Sequence, residues 1–163
     1  MSTGNEIREE DQVLRVSPMD IEASPLNPRK RFLQKRILEM AKSVAAHGVI
    51  QPIKCRRLES GGYEVIWGER RWRGAKLVMG GFEDEEGVGY VPRPDLTIPI
   101  LVEDLDDRTV FELMMVENLE RENLCPSEEA AAYERMRVEH SMSAAEIAER
   151  LKVARKRVDR MLL

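Results

Sequence analysis

The chain has few groups that could staple, chelate or span. Two Cys and two His stand among 163 residues, and Cys55 and Cys125 belong to no CxxC pair. A disulfide framework and a Cys/His zinc site are therefore not expected. No apolar run approaches the roughly 20 residues a membrane span requires. The first twelve residues, MSTGNEIREEDQ, have neither a basic nor an apolar stretch, so no secretory signal is expected. GxxxxGK[ST] and GxGxxG are both absent, which removes the P-loop and the dinucleotide fingerprint. Positive charge is not in excess either: 26 Lys and Arg face 30 Asp and Glu, for a net charge of −4 and a pI near 5.4. Binding nucleic acid over the whole surface is excluded, and any such binding must be local.

The 42% apolar and 34% charged residues that are present describe a globular protein with a charged surface. The length suits one domain of about 100–150 residues, or one such domain with a small appendage. The charge is uneven. Residues 142–163 hold six Lys and Arg against three Asp and Glu, leaving 20 against 27 in residues 1–141. The basic excess thus sits at one end of an acidic body.

Residues 1–12 are polar and acidic and are expected to be a disordered arm. Val13, Leu14 and Val16 suit a short strand. Asn27-Pro28-Arg29 lies in a turn whose prolines prevent regular pairing. Leu33, Ile37, Met40, Ala41 and Val44 recur at helical spacing, with Gly48 placed to end the helix. Residues 53–58 and 63–67 flank Glu59-Ser60-Gly61-Gly62 and predict a β-hairpin. A helix is expected from about Gly68 to Gly80. The acidic and then Gly- and Pro-rich stretch 82–95 predicts an exposed loop. Residues 97–102 predict a strand, which Pro99 places at an edge. Three helices should follow: one running toward Arg121, one capped by Ser127 with Glu128 and Glu129 in its first turn, and one opened by the capping box Ser143-Ala144-Ala145-Glu146. The organisation expected is an arm over 1–12, an α/β domain over 13–124 and a helical segment over 125–163. Met114, Met115 and Met136 are expected in the core, and neither Cys as a nucleophile.

Gly68-Glu69-Arg70-Arg71-Trp72-Arg73 lies between a predicted strand and a predicted helix. A helix start leaves backbone N–H groups unpaired at its positive end, and nearby arginines add bidentate contacts to phosphate oxygens. The alternative is a solvated arginine face with Trp72 packed inward. Glu117-Asn118-Leu119-Glu120-Arg121 offers a carboxylate and an amide oxygen side by side, which suit Mg²⁺ when a nucleotide brings its phosphates. Here the alternative is an ordinary Glu117–Arg121 pair on a helix surface. Near the end, Ala148, Val153 and Val158 occupy the small and apolar positions of a helix-turn-helix. Lys152 stands where that turn favours Gly. Lys152, Arg155, Lys156, Arg157 and Arg160 would then meet phosphates or guanine edges. A solvated basic face is the plainer reading.

Taken in order, Asn27-Pro28-Arg29, Gly48-Val49-Ile50-Gln51-Pro52-Ile53, Gly68–Arg73, Glu117–Leu124 and the helix-turn-helix resemble the ParB family of chromosome and plasmid partition proteins. The resemblance runs over about 25–163. It implies an α+β protein: a ParB/sulfiredoxin-like α/β domain with a small mixed sheet, then an all-α helix-turn-helix segment that looks truncated at Leu163. It also implies binding of CTP with Mg²⁺ and slow hydrolysis of CTP to CDP and phosphate, used as a conformational switch. By motif matching, Gly68, Glu69, Arg70 and Arg71 would hold the triphosphate, with Glu69 assisting hydrolysis. Glu117 and Asn118 would serve the metal, Arg121 the phosphates, and Gln51 and Arg56 would border the base and ribose. The implied partners are a centromere-like DNA site, a second copy engaged through the N-terminal domains on CTP binding, and a ParA-type ATPase. The expected location is the cytoplasm, on nucleoid or plasmid. Gly74 stands where the family usually has Ala, expected only to weaken the helix slightly. Two other readings remain: a nucleotide-independent helix-turn-helix regulator, or a phosphotransferase or nuclease on the same fold. Sulfiredoxin chemistry is not expected, because no Cys occupies the Gly68–Arg71 position.

Overall fold

The computed structural model describes residues 13–120 and 124–163, so the arm expected over 1–12 lies outside it. The described residues form two compact units. Of the described residues, the α/β unit takes 13–24 and Phe32–Asp104. The helical unit takes Pro25–Arg31 and Leu105–Leu163. The expected 13–124 segment therefore holds a compact α/β unit together with a turn and a helix that pack into the helical one. Phe111 and Met115 explain the second assignment, since both are buried in the helical core, a destination local periodicity does not reveal.

In the α/β unit, β1 (Val13–Val16), β2 (Ile21–Ala23), β3 (Ile53–Arg57), β4 (Tyr63–Trp67) and β7 (Ile98–Val102) form a sheet of order β1-β7-β3-β4-β2. The β1/β7 and β3/β4 pairs are antiparallel and β2/β4 and β3/β7 parallel, so the sheet is mixed. Helices α1 (Gln34–His47) and α2 (Glu69–Gly80) share one core with it. Ala41 and Val44 of α1 meet Trp72, Ala75 and Val78 of α2 over Ile53, Val65, Ile98 and Ile100.

Several local expectations are corrected. β7 is interior, between β1 and β3, although Pro99 suggested an edge. Pairing with β3 begins only at Ile100, so Pro99 precedes that ladder and faces Arg15 of β1. The short parallel strand β2 has no counterpart among the strands expected from the sequence. It is three residues long and buries only Ile21, too little for an alternation to register.

The acidic stretch expected as a loop contains a hairpin of β5 (Phe82–Glu83) and β6 (Gly89–Tyr90), with the Phe82 and Tyr90 rings stacked at 4.3 Å. The buried Asp84 carboxylate organises its turn, accepting N–H groups of Val88 at 2.8 Å and Glu86 at 3.1 Å. The Val88 bond first, and then the Lys42 ammonium 3.1 Å away, hold this carboxyl below its usual range.

Gly74 is also more than a weak helix former. It is buried, and a Cβ there would lie 2.9 Å from Met40 Cγ and 3.1 Å from the Ala41 backbone nitrogen. The missing side chain is what lets α1 and α2 approach.

The helical unit holds α3 (Asp107–Glu120), α4 (Pro126–Glu139), α5 (Ala144–Leu151) and α6 (Arg155–Met161). Phe111, Met115, Tyr133, Met136, Ile147, Leu151 and Val158 form its core. Cys125, not Ser127, caps α4, with Pro126 in the first turn. Glu128 closes the start by accepting the Cys125 N–H at 3.1 Å, and it also accepts the Lys30 N–H at 3.0 Å. The Ser143–Glu146 capping box opens α5 as expected. Among the described residues no helix is long and apolar enough to cross a membrane.

Candidate functional site

Gly68 caps α2 in the left-handed region, at φ 97° and ψ 27°. A Cβ there would be strained by the backbone and would also lie 2.8 Å from the Arg71 guanidinium. That guanidinium is folded back across the turn. It donates to the Gln51 carbonyl at 2.6 Å and the Pro52 carbonyl at 3.0 Å. The structure thus brings Gln51, Gly68 and Arg71 together at the start of α2. Glu69 is buried and accepts the Nε (2.9 Å) and terminal amino group (2.6 Å) of Arg73, one turn on. Arg73 in turn lies 4.3 Å from the centre of the Phe32 ring. Arg70 is half-buried at the same helix start.

Arg56 is differently employed. Its guanidinium donates to Glu64 Oε2 across β3 and β4, from Nε at 3.2 Å and the terminal amino group at 3.0 Å. The Ser24 hydroxyl donates to the other oxygen of the same carboxylate. Glu64 is buried, so this arginine neutralises a charge within the sheet. Nothing in local spacing signals the pairing, because Arg56 and Glu64 meet only once the hairpin register is set. Cys55, beside it, is fully buried and its thiol is pushed up to about 12 by desolvation, in keeping with an inert core residue.

In the helical unit, Asn118 is buried on α3. Its amide donates to the Met114 carbonyl at 2.7 Å and to Asn27 Oδ1 at 3.4 Å. Asn27 Oδ1 also accepts the Arg29 N–H at 3.0 Å. The Asn-Pro-Arg turn is thereby pinned to α3, a link the sequence motif contains but does not explain. Glu117 is half-buried beside Asn118, and Arg121 lies outside the described residues. No three of His, Cys, Asp and Glu are grouped as a metal site among the described residues. One carboxylate and one amide oxygen suit Mg²⁺ only where phosphate and water complete its octahedron.

At the basic end, Lys152 joins α5 to α6 in the left-handed region at φ 54° and ψ 38°. The Val153 N–H donates to the Ala148 carbonyl at 3.0 Å, closing the turn. Ala148 and Val158 are buried and Val153 packs partly against them. Lys152, Arg155, Lys156, Arg157 and Arg160 are all exposed as residues. Two are already engaged: Arg155 lies 3.6 Å from Asp159, and Arg157 is bonded to Glu129 of α4.

The family model of the ParB N-terminal domain matches residues 2–82. A probable chromosome-partitioning protein ParB of Xylella fastidiosa is 37% identical over 142 residues, covering 87% of this chain and 41% of its own. The chain spans about half the length of the curated relatives it matches. Among solved structures, C-terminally truncated ParB of Caulobacter crescentus in complex with the centromeric parS site aligns with a TM-score of 0.63 at 26% identity, covering 91% of this chain and 70% of that one. The same protein in complex with CTP-γ-S aligns at 0.53 and 28% identity, covering 93% and 77%.

Proposed function

Since this chain belongs to the ParB family, we propose that it is a CTP-dependent DNA-binding switch of chromosome or plasmid partition. It takes CTP with Mg²⁺ and a centromere-like DNA site, and it hydrolyses CTP slowly. The observation that carries this reading is the Gly68–Arg71 turn. There a left-handed glycine starts a helix, and an arginine rests on two neutral carbonyl groups. Phosphate oxygens are stronger acceptors than carbonyls, because both partners are then charged.

Gly68, Glu69, Arg70 and Arg71 cradle the triphosphate, while Gln51 and Arg56 border base and ribose. Glu117, Asn118 and Arg121 serve metal and phosphates. Bound Mg²⁺ supplies neutralisation of phosphate charge. Glu69 assists hydrolysis, with one of its carboxylate oxygens already accepting two N–H groups of Arg73. Arg56 acts mainly by keeping Glu64 neutralised and the β3 edge of the site in place. The protein works in the cytoplasm, on nucleoid or plasmid, as a homodimer closed through its N-terminal units. A ParA-type ATPase is its further partner. A ligand that binds the closed state more tightly than the open one suffices to drive closure.

Calorimetry with CTP, ATP, GTP and UTP in Mg²⁺ tests the reading. CTP is expected to bind at least about tenfold more tightly than the others. Arg71→Ala is expected to weaken CTP binding by about 10–100-fold, the worth of a charge-assisted contact. Equal binding of all four nucleotides, or none of CTP, overturns the proposal. DNA binding that no nucleotide alters would favour the helix-turn-helix regulator instead.

A further inference from the structure

The helix offered to DNA, α6, is seven residues long and buries one side chain, Val158. Met161 packs partly against the same core, but apolar contacts of this kind have no fixed direction and leave the rotation of so short a helix loosely set. A second tie prevents this. Arg157 donates from Nε to Glu129 Oε1 at 2.6 Å and from its terminal amino group to Oε2 at 3.0 Å. The Tyr133 hydroxyl donates to the same Oε1 at 2.6 Å. Glu129 is 3% exposed and Tyr133 is fully buried, both on α4. Burial opposes the carboxylate charge. The Arg157 and Tyr133 bonds outweigh it and hold Glu129 below its ordinary range. A two-point guanidinium–carboxylate fork fixes a plane as well as a distance, so it sets the rotation of α6.

We propose that Glu129 is a positioning residue for DNA reading. With Tyr133 it holds Arg157, and through Arg157 it turns α6 so that Lys156 and Arg160, one helical turn apart on one stripe, face the duplex. Arg157 is then a brace rather than a reader, because leaving Glu129 for DNA would strand a buried charge. The proposal rests on the DNA reading above and adds how the reading helix is aimed.

The test measures anisotropy of the 163-residue chain on a parS duplex and on a scrambled duplex across a salt series, with and without CTP and Mg²⁺. Each variant is assayed at a temperature where circular dichroism shows it fully folded. Glu129→Gln and Arg157→Met are each expected to lower the parS-to-scrambled affinity ratio about tenfold, the scale of a mispositioned base contact, with no loss of salt slope. The double variant should cost no more than either single one, since one link is broken in all three. Arg157→Lys should recover part of the ratio. Arg160→Met, removing a reader, should lower the salt slope by about one.

Tighter DNA binding by Glu129→Gln, as simple removal of a negative charge would give, overturns the proposal. So does a slope reduced by Arg157→Met. Should Glu129→Gln fail to fold, Tyr133→Phe removes one hydroxyl only and is expected to lower the ratio by about threefold; an unchanged ratio there overturns the proposal equally. A wild-type chain that discriminates between no duplexes in any nucleotide state overturns the DNA reading and the proposal with it. Wild-type discrimination left intact by Glu129→Gln overturns the proposal alone.

Discussion

Arg71 in the α/β unit and Arg157 in the helical unit both belong to arginine clusters at helix starts, and both are drawn back into the fold. Their acceptors differ. Arg71 lies on two backbone carbonyls at the strand approach, whereas Arg157 lies on a carboxylate with a side chain 4% exposed. A hydrogen bond from a charged donor to a neutral carbonyl has a net worth of about 1.5–3 kcal/mol, toward the low end where, as here, water or a ligand can replace either partner. Stripping a buried carboxylate of its cation costs about 3–5 kcal/mol. Arg71 can therefore be recruited by an incoming phosphate, and Arg157 cannot. What a cluster of cations can offer a ligand is decided by what each cation must abandon.

Denaturant unfolding breaks or upholds this comparison most directly. Arg157→Met is expected to destabilise the helical unit by about 3 kcal/mol, the low end for a broken buried pair because Arg157 itself is partly exposed. Arg71→Met is expected to cost the α/β unit about 1.5 kcal/mol, the low end for a charged donor at a partly exposed site. Equal losses would mean that Glu129 finds water or another cation when Arg157 leaves, and the distinction between the two arginines would fall.

A second substitution sharpens the α/β side. Gly74→Ala improves helix propensity by about 1 kcal/mol. It also pushes a methyl against Met40 and the Ala41 backbone. Overpacking of that kind costs about 1–3 kcal/mol. The net expectation is a loss of about 1 kcal/mol, read as a lower midpoint at unchanged slope. A gain would show that α1 and α2 separate at no cost.

In both units alike, what could be read from residue order depends on the reach of each contact along the chain. The capping box at Ser143, the α1 stripe ending at Gly48 and the helix start at Gly68 are local, and each carries its own signal within one turn or one strand. Arg56 with Glu64, Asn118 with Asn27 and Arg157 with Glu129 are not local. Each needs a register or a helix crossing before its partners meet, so spacing alone left all three arginines and amides looking available to ligands. The acidic hairpin escaped for a related reason. Its order comes from one carboxylate, Asp84, turned inward among four consecutive acidic residues, which composition reads as solvated. The ordered motifs resembling a family carried further than periodicity because they sample both units at once.

The smallest expected effect lies in the helix-turn-helix, where the comparison turns on backbone rather than charge. Gly68 and Lys152 both sit at helix ends in the left-handed region, but only the first is a glycine. A side chain in that conformation costs roughly 1–2 kcal/mol. Glycine recovers it while loosening the unfolded chain by about 0.4–1 kcal/mol. Lys152→Gly is therefore expected to stabilise the helical unit by about 0.5 kcal/mol, seen as a small rise in melting temperature. If Lys152 also meets a DNA phosphate, the same variant lowers the salt slope of parS binding by about one. A higher melting temperature with an unaltered slope would assign Lys152 to the turn alone. A lower melting temperature would mean that its aliphatic stem packs on α5 and α6 more than its backbone strains, which would reverse the contrast with Gly68.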